Sequence, residues 1–154
     1  LILKNLKWRK KMKSFTTDRY GRTIIIHLGK GEKVLESITA ELKRLDVNYG
    51  ILVSAIGSLR KACLHVITNT DDLSVNKYIT VEKPIELGAA QGLIIDGEPH
   101  FHLNISEPEH LYSGHMENEC EVQYLAEFAI LELKDLNITR KLDSLGISYL
   151  AQKD

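Results

Sequence analysis

The sequence predicts an α+β domain: a mostly antiparallel, barrel-like β-sheet with one main α-helix packed on it. Three observations carry this. Only one segment, Glu32 to Leu45, places apolar residues at helical spacing (Val34, Leu35, Ile38, Leu42 and Leu45), with Glu36, Lys43 and Arg44 on the wet side. Most of the remainder is a succession of β-branched or alternating runs punctuated by turn residues, the pattern of strands joined by short connections. At 154 residues and 44% hydrophobic content, the chain is long enough for one real core.

Taken in order, Arg22 to Leu28 is a β-branched run and reads as a strand. Gly29-Lys30-Gly31 turns the chain into the helix. Asn48-Tyr49-Gly50 ends that unit, and Ile51 to Ile56 is an apolar run suited to a buried strand. Gly57-Ser58 reads as a backbone turn, since neither a Gly-x-Ser-x-Gly elbow nor a base in register accompanies it. Ala62 to Thr68 is a further strand, followed by a turn at Asn69-Thr70-Asp71-Asp72 and an alternating strand from Val75 to Val81. Ile85-Glu86-Leu87 follows Pro84, and Leu93-Ile94-Ile95 follows Gly92 and precedes the Asp96-Gly97 turn. After the next strand comes a loop through Glu107-Pro108-Glu109. The last strong strand, Val122 to Leu133, is long enough to serve two partners. Neither a repeat nor a linker interrupts the pattern. The organisation expected is a basic N-terminal extension over residues 1–13 and one domain over 14–154.

The extension holds six basic side chains (Lys4, Lys7, Arg9, Lys10, Lys11 and Lys13) and no acidic ones. With those six removed from the 20 basic residues, 14 remain against 21 acidic ones, a net −7 for the body. Such a body repels phosphates, so charge does not favour DNA as a partner. Met12 offers a start, so residues 1–11 read either as a native basic arm or as non-native upstream sequence. No apolar run approaches the roughly 20 residues needed to span a bilayer, and no apolar h-region marks a secretory signal. The expectation is a cytoplasmic protein without a membrane partner. Cys63 and Cys120 then read as buried, reduced thiols.

The chemistry concentrates in Gly97-Glu98-Pro99-His100-Phe101-His102-Leu103-Asn104-Ile105, followed by Ser113-Gly114-His115. Side chains two apart on a strand share a face. His100, His102 and Asn104 therefore lie together, opposite the core-facing Phe101, Leu103 and Ile105. With His115 on an adjacent strand, three neutral imidazoles form a set that zinc accepts, leaving a fourth position open to water or substrate. Glu127, among Leu125, Ala129 and Leu131 on one apolar strand face, reads as a buried carboxylate in need of a partner. It is the candidate catalytic residue, able to orient the site or exchange a proton. A cationic residue across a subunit boundary is the alternative partner. His27, His65 and His110 read as structural or surface residues, and Glu98 as a solvated one. Gly29-Lys30-Gly31 lacks the rest of a phosphate-binding loop.

These pieces resemble a known family. Ile-His-Leu-Gly-Lys-Gly-Glu leads into the helix, then come Val-Ser-Ala-Ile-Gly-Ser-Leu and Glu-Lys-Pro-Ile-Glu-Leu. Gly-Glu-Pro-His-Phe-His-Leu-Asn-Ile-Ser follows, then Ser-Gly-His-Met, Ala-Glu-Phe-Ala-Ile around Glu127, and Thr-Arg-Lys-Leu-Asp. In this order and spacing they resemble the PPC (or PCC) domain, the plants and prokaryotes conserved domain, over about Arg22 to Leu150. The resemblance implies an α+β fold assembled as a homotrimer. It also implies a prokaryotic-branch member, in which the histidines (here His100, His102 and His115) are taken to bind a metal, zinc in the first instance. Plant members join the domain to AT-hooks and typically lack the histidine triplet; no Arg-Gly-Arg-Pro core occurs here. Ser113 stands where the family's usual motif has a first glycine. Two functions are therefore expected to compete. One is a trimeric zinc-site protein that binds or acts on a small molecule; the other is a DNA-associated protein in which the domain drives assembly.

Overall fold

The structure, a computed structural model, describes residues 12–154. The basic extension expected over residues 1–13 lies outside the described residues except for Met12 and Lys13. The chain runs β1 (Tyr20–Gly29), α1 (Val34–Arg44), β2 (Tyr49–Ile67), β3 (Asn76–Val81), β4 (Ile85–Ile95), β5 (Glu98–Glu107), β6 (His110–Met116), β7 (Glu121–Leu133), β8 (Ile138–Leu142) and β9 (Ser148–Gln152). The first seven strands form one antiparallel sheet in the order β1-β7-β2-β4-β5-β6, with β3 added on β2. A further pairing of β2 with β6 joins the ends of the β2-β4-β5-β6 run into a ring. The fold expected from the sequence, a mostly antiparallel barrel-like sheet with one helix, is the fold observed.

The helix forms where the apolar spacing puts it. Val34, Ile38 and Leu42 are fully buried, and Leu35 and Leu45 pack against the same core. Burying side chains of this size stabilises the fold by roughly 1.5–3 kcal/mol each. Helix entry is held by Lys33, which pairs with Glu119 at 2.8 Å and Glu121 at 3.3 Å, both beside the start of β7. On the sheet, Leu52, Leu59, Leu64, Leu87, Phe101, Leu103, Phe128 and Ile130 fill the interior.

The principal correction concerns β2. The sequence reads as two strands broken at Gly57-Ser58, whereas the chain runs through as one strand of 19 residues. Gly57 is a close-approach glycine, because a Cβ there would lie 2.6 Å from the Ala126 Cα of β7. Its first half pairs with β4 on one side and β7 on the other, and its second half with β3 and β6. Likewise Ile85 to Ile95 is a single strand rather than two short runs. β7 pairs with both β1 and β2, the two partners that its length suggests.

The β8–β9 hairpin was not expected from the sequence. It is a separate two-stranded sheet, held by a small second core of Tyr49, Ile95 and Ile138 with Phe15, Leu133, Leu136 and Leu150 around it. The Tyr49 hydroxyl donates to the Ile138 carbonyl at 3.0 Å, and Lys153 pairs with Asp96 in the β4–β5 turn. The hairpin is thus clamped beside the turn from which β5 departs. Both cysteines are free. Cys63 N–H donates to Cys120 Sγ at 3.2 Å, and burial pushes the Cys120 thiol up to about 11. Among the described residues, no helix is long and apolar enough to cross a membrane.

One ionic group locks the outer edge of the sheet. The Glu132 carboxylate, only 1% exposed, accepts from Arg22 Nε at 2.8 Å and from the Arg22 backbone N–H at 3.0 Å. Hydrogen bonding to Arg22 holds the Glu132 carboxyl down at about 2. A lowered carboxyl pKa contributes stability at neutral pH that is lost as pH falls from the ordinary carboxylate range toward 2. In urea unfolding, Glu132→Gln is expected to cost about 2 kcal/mol at pH 7. The difference from the parent protein should shrink through pH 4 and vanish near pH 2, whereas an equal loss at every pH would show that the charge is not responsible.

Candidate metal centre

The alternation of β5 puts Phe101, Leu103 and Ile105 in the core and turns His100, His102 and Asn104 outward. His102 lies directly opposite His115 in the β5–β6 ladder, and His100 follows on the same face one step toward the Asp96-Gly97 turn. The ring centroids of His100 and His115 are 4.6 Å apart, those of His100 and His102 5.4 Å, and those of His102 and His115 5.5 Å. One nitrogen from each ring lies within 4.8 Å of the other two. Tetrahedral zinc–imidazole bonding needs nitrogens about 3.4 Å apart, a gap that small ring rotations close. The three neutral donors and their spacing therefore fit a zinc ion.

β4 sets how closely β5 can approach. A Cβ on Gly92 would lie 2.0 Å from the His100 carbonyl oxygen, so glycine is what lets the histidine strand sit in its place.

The field around these rings favours neutral imidazole. Burial, then the positive charge of Arg140 and then the neighbouring histidines pull His100 down to about 4. His115 is also lowered, by burial first and by His65 second. Neutral nitrogens are the form that binds a metal, so little free energy is spent on removing protons.

A fourth histidine belongs to this cluster, contrary to its expected structural or surface role. His65 faces His115 across the β2–β6 pairing, with ring centroids 4.5 Å apart. Its Nδ1 is hydrogen-bonded to Glu117 Oε1. His65, His115 and Glu117 also bring one ligand atom each within 4.8 Å of the others. His65 and Glu117 escaped the sequence reading because their proximity depends on closure of the ring. The local hint is the i, i+2 spacing of His115 near the end of β6 and Glu117 just beyond it.

The expectation for Glu127 is corrected. The buried face of β7 carries Val122, Ala126, Phe128, Ile130 and Glu132, so Glu127 points outward. Its side chain is 48% exposed and its Oε1 lies 3.3 Å from His27 Nδ1. That pair places the carboxylate outside each histidine cluster among the described residues. The remaining two assignments are simpler: His110 bonds Glu107, and Glu98 is exposed.

Fold and site together define a small antiparallel barrel domain with an outward cluster of histidines, two of them, His100 and His115, with pKa values lowered by their surroundings. The chain belongs to the Plants and Prokaryotes Conserved (PCC) domain family, whose model matches residues 15–134 and ends before β8. Among solved structures, it is similar to the metal-containing protein AF0104 from Archaeoglobus fulgidus, at 22% identity and a TM-score of 0.78. That alignment covers 92% of this chain and 100% of the other. A plant- and prokaryote-conserved protein from Pyrococcus horikoshii matches at 26% identity and a TM-score of 0.75, covering 91% and 99%. A candidate DNA-binding protein from Bacteroides thetaiotaomicron matches at 15% identity and 0.73, covering 86% and 96%. The bifunctional protein GlmU from Synechococcus sp. (strain JA-3-3Ab) is 23% identical over 123 residues, 79% of this chain; the chain spans only 19% of that relative's length.

In metal-free protein, NMR titration of the imidazole C–H signals should find His100 neutral at pH 6 and protonating near pH 4. A midpoint near the ordinary 6.5 would show that neither burial nor Arg140 governs the ring.

Proposed function

We propose that residues 14–154 form a zinc-binding unit of a homotrimer that binds or acts on a small molecule, with His100, His102 and His115 as the metal ligands. The observation that carries this is the gathering of three imidazole nitrogens, one ring held neutral by its surroundings, on one outward face. The metal-containing description of the Archaeoglobus fulgidus structure supports the same reading. Bound to three histidines, zinc supplies Lewis acidity toward a carbonyl or a water. The chain's own residues do the positioning. Phe101 and Leu103, fully packed in the core, fix the strand that carries His100 and His102. His65, tied to Glu117, lies against the ring of His115 and restricts its rotation. The carboxylate nearest the cluster is therefore Glu117 rather than Glu127.

The trimer is supported by apolar side chains on the outer face: Ile25 is 68% exposed, Val53 64% and Ile56 51%, on β1 and β2. An exposed apolar patch of this kind suits association. Elemental analysis of tag-free protein purified without chelator, with its mass in solution, tests both parts. About one zinc per chain and a mass three times the 17.4 kDa of the chain are expected. The double substitution His100→Ala, His102→Ala should remove the zinc, while His27→Ala should retain it. Zinc-free parent protein would sink the reading.

A second reading follows from the candidate DNA-binding description of the Bacteroides thetaiotaomicron structure. Against it stands the net −7 of the body beyond residue 13. Duplex-DNA binding is expected to require residues 1–13 and to fall steeply with salt. Salt-sensitive binding by a chain starting at residue 14 would instead favour the DNA-associated function.

A further inference from the structure

Arg140 is an arginine without a counter-ion. It lies in β8, half-buried, in the Thr139-Arg140-Lys141 run. Its Nε is shut off from solvent and has no hydrogen-bond partner. Among the described residues no carboxylate pairs with it, and burial is what disturbs its charged form. Yet its charge reaches the histidine cluster, acting on both His100 and His115.

Its placement has a structural cause. Tyr49 and Asp96 clamp the hairpin beside the β4–β5 turn, and Asp96 also bonds the side chain of Thr139, the residue before Arg140. Three residues past Gly97 in that turn, the chain reaches His100. The fold thus holds a half-buried guanidinium, its Nε shut off from solvent, near the ligand face. Three other partly buried or sheet-borne cations are neutralised where they stand. Lys83 pairs with Glu107 at 3.1 Å, Arg60 with Glu121, and Arg22 with Glu132. An open concavity of about 560 Å³ lined by Ser58, Arg60, Lys83 and Tyr124 therefore offers no cation without a partner.

A desolvated, unpaired guanidinium is costly unless something completes it. Its fork matches the two oxygens of a carboxylate or a phosphate. The histidine donors are neutral, so a bound divalent metal would leave the region with further uncompensated positive charge.

We propose that Arg140 is the anion anchor of the histidine site, holding the oxyanion of a small carboxylate- or phosphate-bearing ligand beside His100 and His115. The proposal rests on the reading of those histidines as a ligand-binding site and narrows its ligand to an anion. The Arg140 side chain contacts the ligand's charged end, leaving its other end toward the histidine face. Arg140 stands on β8, beyond the segment matched by the family model, so the terminal hairpin supplies this anchor.

The test is an NMR titration of the arginine Nε–H signals of the full chain, run with and without added zinc. The Arg140 signal is identified by its loss in Arg140→Gln, or in Arg140→Lys should the first variant fold poorly. Pyruvate or inorganic phosphate is expected to shift that signal saturably, and methyl pyruvate, which lacks the charge, to leave it in place. By calorimetry, Arg140→Gln should bind the effective anion about tenfold or more weakly than the parent. An Arg140 signal unmoved by both anions, or moved equally by methyl pyruvate, overturns the proposal. Failure of the zinc reading is seen separately as absent zinc in the parent protein, and the zinc-free titration still decides the role of Arg140.

Discussion

His65 joins the histidines of β5 and β6 because β2 reaches far enough to touch β6. Two register pairs, Leu64 with Met116 and His65 with His115, join β6, otherwise an edge strand, back to β2. Leu64 and Met116 are buried beneath this seam, 1% exposed each. The same backbone contacts that satisfy edge N–H and C=O groups also press a histidine of β2 against a histidine of β6. Packing and chemistry are therefore set by one event. Whatever weakens the seam loosens the core and parts His65 from His115 together.

Electrostatics divides the molecule into two regimes. At the periphery, carboxylates are matched locally, as Glu132 is by Arg22 and Glu119 by Lys33. Around the histidines the balance reverses, with four imidazoles and Arg140 facing Glu117 as the adjacent carboxylate. Burial together with this imbalance lowers the pKa of His100 and His115 and leaves their nitrogens available. An environment of this kind is poorly suited to a solvated surface histidine and well suited to a ligand.

The elements governed by local pattern were legible in the sequence. The helix was set by five apolar residues at one spacing, and the outward direction of His100 and His102 by the alternation around Phe101 and Leu103. The hidden features depend on pairing between distant segments. Gly57-Ser58 has the composition of a turn, and only the proximity of β7 explains a glycine inside a strand. Glu127 was assigned to the wrong face because β7 is apolar on both sides: Leu125, Ala129 and Leu131 alternate with Ala126, Phe128 and Ile130. Periodicity fixes which residues share a face but not which face meets the core. His65 and Arg140 became visible only when β6 and the terminal hairpin took their places.

The hairpin also has a dynamic consequence. Its two strands pair in a ladder only with each other, and they join the barrel through a few bonds to Tyr49 and Asp96 and a second core that is small beside the first. A unit attached in this way opens at a lower free energy than the barrel it rests on. The wall beside the histidines is thus expected to yield to thermal fluctuation before the barrel does. Entry and departure of a ligand need not wait for the sheet to breathe, because the clamp at Tyr49 and Asp96 can release while the seam between β2 and β6 stays shut.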